Sequence, residues 1–401
     1  MTRAIMYGHR SWASRIASLA SLVVMSIVLA ACGAATTKTP TGPGVTSTTI
    51  TLGATLPLTG TAATNGLGAA AGENAYVKYI NSHGGVKGRK IKLILLDDQY
   101  VPSTAVTQMH LLVEQDHIFA VAGGAGTPAT LANVPFLTSS GIPVIGPFAP
   151  SNTLGTMATP NIYVLTPNYI QEFKDLAHYV YTHSHITTYS LVGVTGSVDQ
   201  NALQGMQEGL SGTGATVHNV PEVAGTSNMA PLAEQLLGYD AKAVFLILTS
   251  GDTANLLEAM NRIGYHPKLA SSSAGVTQAE ITQFGSIMQG LILIEERLQS
   301  TSHAPGVQQM VKQYKAVTGS VPNTYNELGW VQAEVTVAAL KAAKSLSWSS
   351  LEQALNGMRN FQTGVIPPIS FGARNRQGVD AIALGEVRGD GLVQLSGFTA
   401  P

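Results

Sequence analysis

Three histidines lie close together in the chain, and histidine nitrogens bind zinc when they converge on one point. They are His178, His183 and His185, near the end of a predicted helix. A spacing of five residues places the first two on different faces of a helix, so their nitrogens diverge. The dipole at a helix end also favours histidine. We therefore interpret the three side chains as solvated and expect no metal site.

A second candidate is the glycine-rich stretch GLGAAAG, Gly66 to Gly72, with Asp97 and Asp98 as candidate ribose-binding acids. Its glycine spacing is close to that of a dinucleotide-binding loop. Such a loop must follow its strand directly, because the pyrophosphate sits in a tight turn between strand and helix. Here the ten residues LPLTGTAATN intervene. We predict instead that the small residues pack a helix against a sheet, and we expect no cofactor.

Other chemistry receives little support from the sequence. The chain has no G-x-S-x-G elbow, P-loop or H-E-x-x-H motif, so we expect no enzymatic activity. Its 22 basic and 23 acidic side chains give a formal net charge of −1, and only 11% of residues are charged. Because no basic field can hold a phosphate backbone, we also expect no nucleic-acid partner.

The single cysteine, Cys32, follows an uncharged run from Ile16 to Ala31 that is preceded by Arg3, Arg10 and Arg15. A basic start, an apolar run and small closing residues are the layout of a secretory signal. The run is shorter than the roughly 20 residues of a membrane-spanning helix, although an uncleaved anchor remains the alternative. We predict a signal peptide at residues 1–31.

The segment Leu29-Ala30-Ala31-Cys32 resembles the lipobox of bacterial lipoproteins. The resemblance implies that Cys32 is lipidated, becomes the mature N-terminus and holds the protein on the membrane, on the extracytoplasmic side. The following residues GAATTKTPTGPGVTS show no apolar periodicity and are rich in Gly, Pro, Thr and Ser. We therefore predict a lipidated N-terminus with a flexible tether at residues 32–47.

Strand and helix patterns then alternate in two series, the first beginning at 48–56 and the second at 190–194. Gly84 and Gly85 mark the end of the first helix, which we place at 74–81. Repeated alternation predicts parallel sheets covered by helices on both faces, and two series predict two doubly wound lobes. Ligands of such sheets bind beyond the carboxyl ends of the strands, so two lobes with facing strand ends would form a cleft.

Residues 57–106 resemble the branched-chain amino acid (Leu/Ile/Val) binding proteins of ABC transporters, which are type I periplasmic binding proteins. The motifs PLTG, INxxGGVxGRK and DDxxxPxxAV occur in order, and the similarity continues through SGIPVIGPFAPSNTL and YNELGWVQAEVTVAALKAA. The resemblance implies two lobes joined by a three-segment hinge, with crossings near 166–168, 294–297 and 367–372. Lobe 1 would comprise 48–167 and 297–368, and lobe 2 would comprise 168–296 and 369–401.

The same resemblance implies a function. A monomeric solute-binding protein would deliver a small polar solute, such as an amino acid, a carboxylate or an amide, to an ABC permease by hinge closure. A ligand-sensing subunit of a membrane signalling system has the same fold and remains the alternative. The charged run Glu295-Glu296-Arg297 falls at the second crossing and is compatible with a salt-bridged switch. Because crossings are exposed, solvated side chains are at least as good an interpretation.

By the resemblance, lobe 1 supplies most ligand contacts. Asn65 stands where the family often has an aromatic side chain, and Thr127 matches a serine hydroxyl that receives the ligand carboxylate. Backbone amides of Gly126, Thr127 and Ala149 would add donors at a helix start, where the peptide dipoles favour an anion. Phe148 and Ala149 match the wall of the site.

Other positions depart from the family pattern. Pro150 stands where a threonine usually donates, and Ser151 is its expected substitute. In lobe 2, aromatic rings are replaced by Val198 and by Thr249 or Ser250.

Ala274 matches a family glutamate that pairs with the ligand ammonium. A buried ammonium without a counter-charge costs several kcal/mol. Either Asp199 or Asp252 replaces the missing acid, or the ligand has no amino group, and the second reading is slightly favoured.

Overall fold

The computed structural model describes Met1 and residues 41–398, except 224, 225 and 227. The predicted signal peptide, Cys32 and the tether as far as residue 40 lie outside this range, apart from Met1. None of the helices within it is long and apolar enough to cross a membrane.

The first sheet has five parallel strands in the order β2-β1-β3-β4-β5. The strands are β1 (Thr49–Leu56), β2 (Lys90–Asp97), β3 (Ala120–Ala122), β4 (Val144–Ile145) and β5 (Ile162–Tyr163). The helices between them are α1 (Ala63–Ser82), α2 (Pro102–His110) and α3 (Thr127–Ser140), and α2 continues into the π-helical segment Leu111–Gln115.

Three later helices complete the layers around this sheet. They are α9 (Pro305–Thr318), α10 (Thr324–Ala342) and α11 (Trp348–Asn356). Val307, Trp330 and Leu351 belong to the same buried core as Ile50 and Tyr163. The first lobe is therefore assembled from distant parts of the chain.

The second sheet has seven strands in the order β12-β11-β10-β9-β8-β6-β7. The strands are β6 (Thr188–Val194), β7 (Thr216–Glu222), β8 (Ala243–Ile247), β9 (Lys268–Ser271), β10 (Ile292–Glu295), β11 (Ala383–Arg388) and β12 (Gly391–Gln394). Its helices are α4 (Tyr169–Ser184), α5 (Ser197–Gly209), α6 (Ala230–Gly238), α7 (Ser250–Arg262) and α8 (Gln278–Met288). Two strands, β11 and β12, run antiparallel to their neighbours. The family resemblance implies that the last strands return to the second lobe, but their antiparallel orientation was not predicted.

Membership of the buried cores shows where the chain passes from one sheet to the other. It changes core between Leu165 and Tyr169, between Ile294 and Leu298, and between Val379 and Ile382. The third change falls beyond 367–372, because Ile369 and Phe371 still pack in the first core. In addition, Gly378 N donates to Val164 O at 2.8 Å, so this segment extends the edge of the first sheet.

The segment before β1 also lies against the first sheet. Gly42 N donates to Leu346 O at 2.7 Å, and Val45 forms an antiparallel bridge with Ile50. The last residues of the predicted tether are therefore held by lobe 1.

Helix α1 packs unusually closely against α10. A Cβ added at Gly68 would lie 2.5 Å from Cβ of Tyr325, and one added at Gly329 would lie 1.9 Å from the Ala69 carbonyl oxygen. The small residues of GLGAAAG therefore serve packing, as predicted, but their partner is a helix rather than a sheet. They also explain why α1 begins earlier than predicted, since small residues carry no apolar periodicity.

Replacing Gly329 by alanine should destabilise the protein by about 2 kcal/mol or more, because backbone atoms of two helices must separate. Urea unfolding followed by circular dichroism measures the change. Gly238→Ala is the matched control, since nothing lies within 4 Å of a Cβ at that helical position. Equal midpoints for the two variants would contradict the described helix contact.

Candidate ligand-binding cleft

A cavity lies between the two sheets, at the carboxyl ends of their parallel strands, and its empty space together with its opening to solvent measures about 470 Å³. The lining residues are Pro57, Ala62, Asn65, Tyr100, Ala125, Gly126, Thr127, Phe148, Tyr169, Val194, Ile247, Leu248, Thr249 and Ala274. Both sheets contribute, so a molecule bound here would touch both lobes.

Thr127 is the first residue of α3, where backbone N–H groups lack partners within the helix. Its hydroxyl lies 3.2 Å from the hydroxyl of Tyr169, the first residue of α4. Gly126 precedes the helix with φ of 110°, a conformation that favours glycine. Two hydroxyl groups and a helix start thus converge on one end of the cavity, where they can hold a polar or anionic head.

Two of the three predicted backbone donors are already engaged. Gly126 N donates to Phe148 O at 3.0 Å, and Ala149 N donates to Pro147 O at 3.0 Å. Ser151 does not line the cavity, and its hydroxyl bonds to that of Thr153. In this arrangement the loop after β4 engages Gly126 N, Ala149 N and the Ser151 hydroxyl in bonds within the protein.

The predicted lobe-2 residues divide into two groups. Thr249 lines the cavity and caps α7 by accepting from Asp252 N at 3.2 Å. Val198 is buried in the core of the second sheet, and Asp199 caps α5 by accepting from Gly196 N at 2.7 Å. Val198 and Asp199 therefore do not reach the ligand space.

Asn65, Ser250 and Ala274 meet one another across the cleft. The Asn65 amide nitrogen lies 3.1 Å from the Ala274 carbonyl oxygen, and its amide oxygen lies 2.9 Å from the Ser250 hydroxyl. Ser250 does not itself line the cavity. The structure thus brings these residues together as contacts between lobes.

Several lining residues were not anticipated. Val194 and Ile247 end β6 and β8, and the rule that ligands bind beyond strand ends could have identified them. Tyr100 comes from the DDQYVP loop and has φ of 62°, which is uncommon for a residue with a side chain. Tyr169 lies just after the first crossing, where no motif marked it.

None of the described lining residues carries a charged side chain, but acids lie behind them. Burial raises the pKa of Asp98 to about 6, and its carboxylate accepts from Tyr100 N at 2.9 Å. Burial also raises the pKa of Tyr100, and the nearby Asp252, Asp98 and Glu222 raise it further. The cavity is therefore neutral at its surface and acidic behind Tyr100.

A buried ionic network joins the second crossing to both lobes. Glu296 and Arg297 are only 4% and 3% exposed, so the expectation of solvated side chains was wrong. Arg297 lies 3.5 Å from the Glu296 carboxylate and donates to Thr324 O at 3.0 Å. Glu296 also accepts from Ser273 Oγ at 2.9 Å. Paired charges and backbone bonds compensate the burial of the guanidinium.

Glu172, on α4, completes this network. Burial and the neighbouring Glu296 raise the pKa of Glu172 well above its ordinary value. A hydrogen bond from Glu172 lowers the pKa of Glu296 against the larger effect of burial. The protonated Glu172 is therefore the donor and Glu296 the acceptor.

The three histidines lie apart from the cleft. His178, His183 and His185 are exposed, and the ring of His183 stacks on Tyr179 with centroids 4.0 Å apart. Across the described residues, no three His, Cys, Asp or Glu side chains are placed to hold a metal ion.

Two buried cores, three chain crossings and a shared cavity at the strand ends define a two-lobed α/β protein that encloses a ligand between its lobes. Residues 49–391 match the periplasmic binding protein family, and the chain belongs to that family. Members of the family are solute-binding proteins.

Comparison with individual proteins agrees with this assignment. The chain is 22% identical over 333 residues to Leu/Ile/Val-binding protein homolog 7 of Brucella abortus (strain 2308), which covers 79% of this chain and 83% of the relative. The structure resembles a fatty acid ABC transporter substrate-binding protein from Thermomonospora curvata, with a TM-score of 0.82, 21% identity and coverage of 90% and 95%. It also resembles a branched chain amino acid ABC transporter from Thermus thermophilus with bound valine, with a TM-score of 0.80, 19% identity and coverage of 89% and 98%. The predicted fold class and family resemblance are confirmed.

Glu172→Gln should stabilise the protein more at pH 8 than at pH 4. Folding raises the pKa of Glu172, so the folded protein keeps a proton that the unfolded chain releases above its ordinary pKa. The stability of the wild-type protein therefore falls as pH rises from the ordinary pKa of a glutamate to the raised pKa of folded Glu172. Glutamine keeps a donor toward Glu296 without titrating. Thermal melts at both pH values measure the difference.

The control is Glu208→Gln, because Glu208 is exposed on α5 and bonds only to Gln204 among the contacts described for its side chain. Its effect should be small at both pH values. If the stability difference between Glu172→Gln and wild type were independent of pH, Glu172 would not hold the proton.

Proposed function

We propose that this chain is a lipid-anchored extracytoplasmic solute-binding protein that delivers a small solute to an ABC permease and has no enzymatic activity. The cavity lined from both sheets supports the proposal most strongly, because a solute there contacts both lobes at once. Solute bound to lobe 1 gains contacts with lobe 2 as the hinge closes, which shifts the population toward the closed form.

We place the lobe boundaries by core membership. Lobe 1 comprises 42–167 and 297–380, and lobe 2 comprises 168–296 and 381–401. This assignment moves the third crossing later than the family resemblance implies, because Val379 packs in the first core. The lipidated Cys32 and a tether as far as residue 41 would precede lobe 1.

The solute that best suits this cavity has an apolar body and one hydrogen-bonding or anionic head, such as a carboxylate, and no amino group. The head would lie at Thr127 and Tyr169, beside the start of α3. The apolar body would contact Val194, Ile247 and Leu248 of lobe 2. Among the residues that the structure describes, no charged side chain lines the cavity to pair with an ammonium. An unpaired buried ammonium would lower affinity severely.

An amino acid is the second candidate, and one observation favours it. Asp98, Glu222 and Asp252 all act electrostatically on Tyr100, which lines the cavity. An ammonium directed toward Tyr100 would be attracted by these acids. Valine and isovalerate differ only in the amino group, so the pair separates the two candidates.

Isothermal titration calorimetry should detect isovalerate or a larger monocarboxylate in preference to valine. Thr127→Val removes one hydroxyl from the head site and should weaken carboxylate binding about tenfold, as expected for loss of a hydrogen bond to a charged group. Thr107→Val, on the exposed face of α2, is the control and should leave binding unchanged. Full affinity in Thr127→Val would overturn the placement of the head.

Ala274→Glu places an acid in the lining of the cavity and tests whether the solute lacks an amino group. It should improve binding of valine and weaken binding of isovalerate, since the new carboxylate attracts an ammonium and repels a carboxylate. A wild-type preference for valine would instead establish the second candidate.

Cys32→Ser should release the protein from the membrane fraction, because serine cannot carry the thioether-linked lipid. Fractionation followed by immunoblotting measures the distribution, with the unaltered chain as the reference. Continued association with the membrane would instead support the uncleaved apolar helix.

A further inference from the structure

The side chain of Asn65 uses its hydrogen-bonding groups within the protein rather than presenting them to the cavity. Its amide nitrogen donates to the Tyr325 hydroxyl at 2.5 Å and to the Ala274 carbonyl oxygen at 3.1 Å. Its amide oxygen accepts from the Ser250 hydroxyl at 2.9 Å. The Tyr325 hydroxyl also donates to the Ala274 carbonyl oxygen, at 2.7 Å. Three of these four bonds join lobe 1 to lobe 2.

The lobe-1 side of this network is held rigidly. Asn65 lies in α1 and Tyr325 in α10, and these helices are in contact at Gly68. The Asn326 side chain donates to Gly68 O at 2.9 Å and fixes the relative position of the two helices. The amide and the hydroxyl are thus directed at lobe 2 before the lobes meet, which limits the entropy lost on closure.

The network is also buried. Asn65, Tyr325 and Ser250 are 8%, 1% and 1% exposed. Buried polar groups that keep their hydrogen bonds contribute to stability, whereas removal of one partner leaves the other unsatisfied. Separating the lobes must therefore exchange the three interlobe bonds for bonds to water.

The backbones of the two lobes also approach each other closely beside this network. A Cβ added at Gly251, the second residue of α7, would lie 2.7 Å from the Thr61 carbonyl oxygen of lobe 1. That spacing is shorter than real Cβ contacts allow, so the closed arrangement requires glycine at 251. The residue is helical, where alanine is otherwise favoured.

We propose that Asn65 and Tyr325, together with Ser250 and the Ala274 carbonyl, form an interlobe latch that holds the cleft closed with the protein's own hydrogen bonds. Closure then needs no polar ligand atom to bridge the lobes. The protein populates the closed form without ligand, and the ligand adds only what it gains from filling the cavity.

The latch has a consequence for affinity that rests on the proposed function. If only the closed form holds the solute fully, the apparent affinity scales with the closed fraction, and it does so by the same factor for every solute. Weakening the latch should therefore reduce all affinities in parallel. A residue that contacts the ligand would instead change the order of preference among ligands.

The latch itself can be tested without any ligand. Spin labels are attached at Thr107→Cys in α2 and Gln207→Cys in α5, two exposed positions in different lobes. Pulsed electron paramagnetic resonance on the mature full-length protein then reports the interlobe distance. The chain without the introduced cysteines gives the labelling background. Tyr325→Phe and Ser250→Ala each remove one latch hydroxyl, and Gly251→Ala obstructs closure sterically. Tyr265→Phe is the matched control, since its hydroxyl donates to Ala241 O within lobe 2.

We expect the closed distance to predominate in the ligand-free parent and a second, displaced population to increase in the three latch variants, with the control unchanged. Identical distributions in the parent and all latch variants would overturn the proposal. Unfolding midpoints near the parent value separate opening from global destabilisation. Gly251→Ala adds an independent check, because alanine leaves the hydrogen-bonding side chains intact and is favoured over glycine within a helix.

Calorimetry on Tyr325→Phe completes the test. Loss of one buried hydrogen bond should weaken binding about three- to tenfold for isovalerate and for larger monocarboxylates alike. A loss confined to one ligand would overturn the latch and make Tyr325 a ligand contact. If no solute binds the parent protein, the proposed function fails while the distance measurements still decide the latch.

Discussion

The approach of α1 to α10 is the constraint on which the rest of the structure depends. These helices lie far apart in sequence, and glycines at 68 and 329 let their backbones come together. The contact closes lobe 1 around its sheet and positions two polar side chains above the cleft. It also brings the start of α10 to the second crossing, where Arg297 donates to Thr324 O. The packing of lobe 1, the position of the second crossing and the geometry of the cleft therefore all depend on the contact between α1 and α10.

The polarity of the cleft follows from how its charges are distributed. Charged groups near it are paired, protonated or placed behind neutral side chains. Glu296 is compensated by Arg297 and by hydrogen bonds, and burial keeps Glu172 in its protonated form. A cavity with this lining discriminates by shape and by a few hydroxyl groups rather than by a strong local charge.

Much of the fold could be predicted because it follows from local patterns. Alternating strands and helices indicated two doubly wound lobes, and Gly84 with Gly85 marked the end of α1. Thr127 was selected because it matches a serine of the family that the sequence resembles, and the structure places it at the start of α3. Tyr169 and Tyr325 were missed, since their roles depend on contacts with residues 42 and 260 positions away. The antiparallel orientation of β11 and β12 was missed for a related reason, because a short edge strand has little pattern of its own.

The order of the chain also determines when each lobe can be completed during folding. Gln332 of α10 donates to the carbonyl oxygens of Gly124 and Gly146, which were synthesised about half a chain earlier. The edge of the second sheet likewise remains incomplete until β11 pairs with β10. Both lobes therefore lack essential layers until the last fifth of the polypeptide is available. Such long-range pairing makes folding slow, and it favours a chain that remains unfolded until its entire length is present.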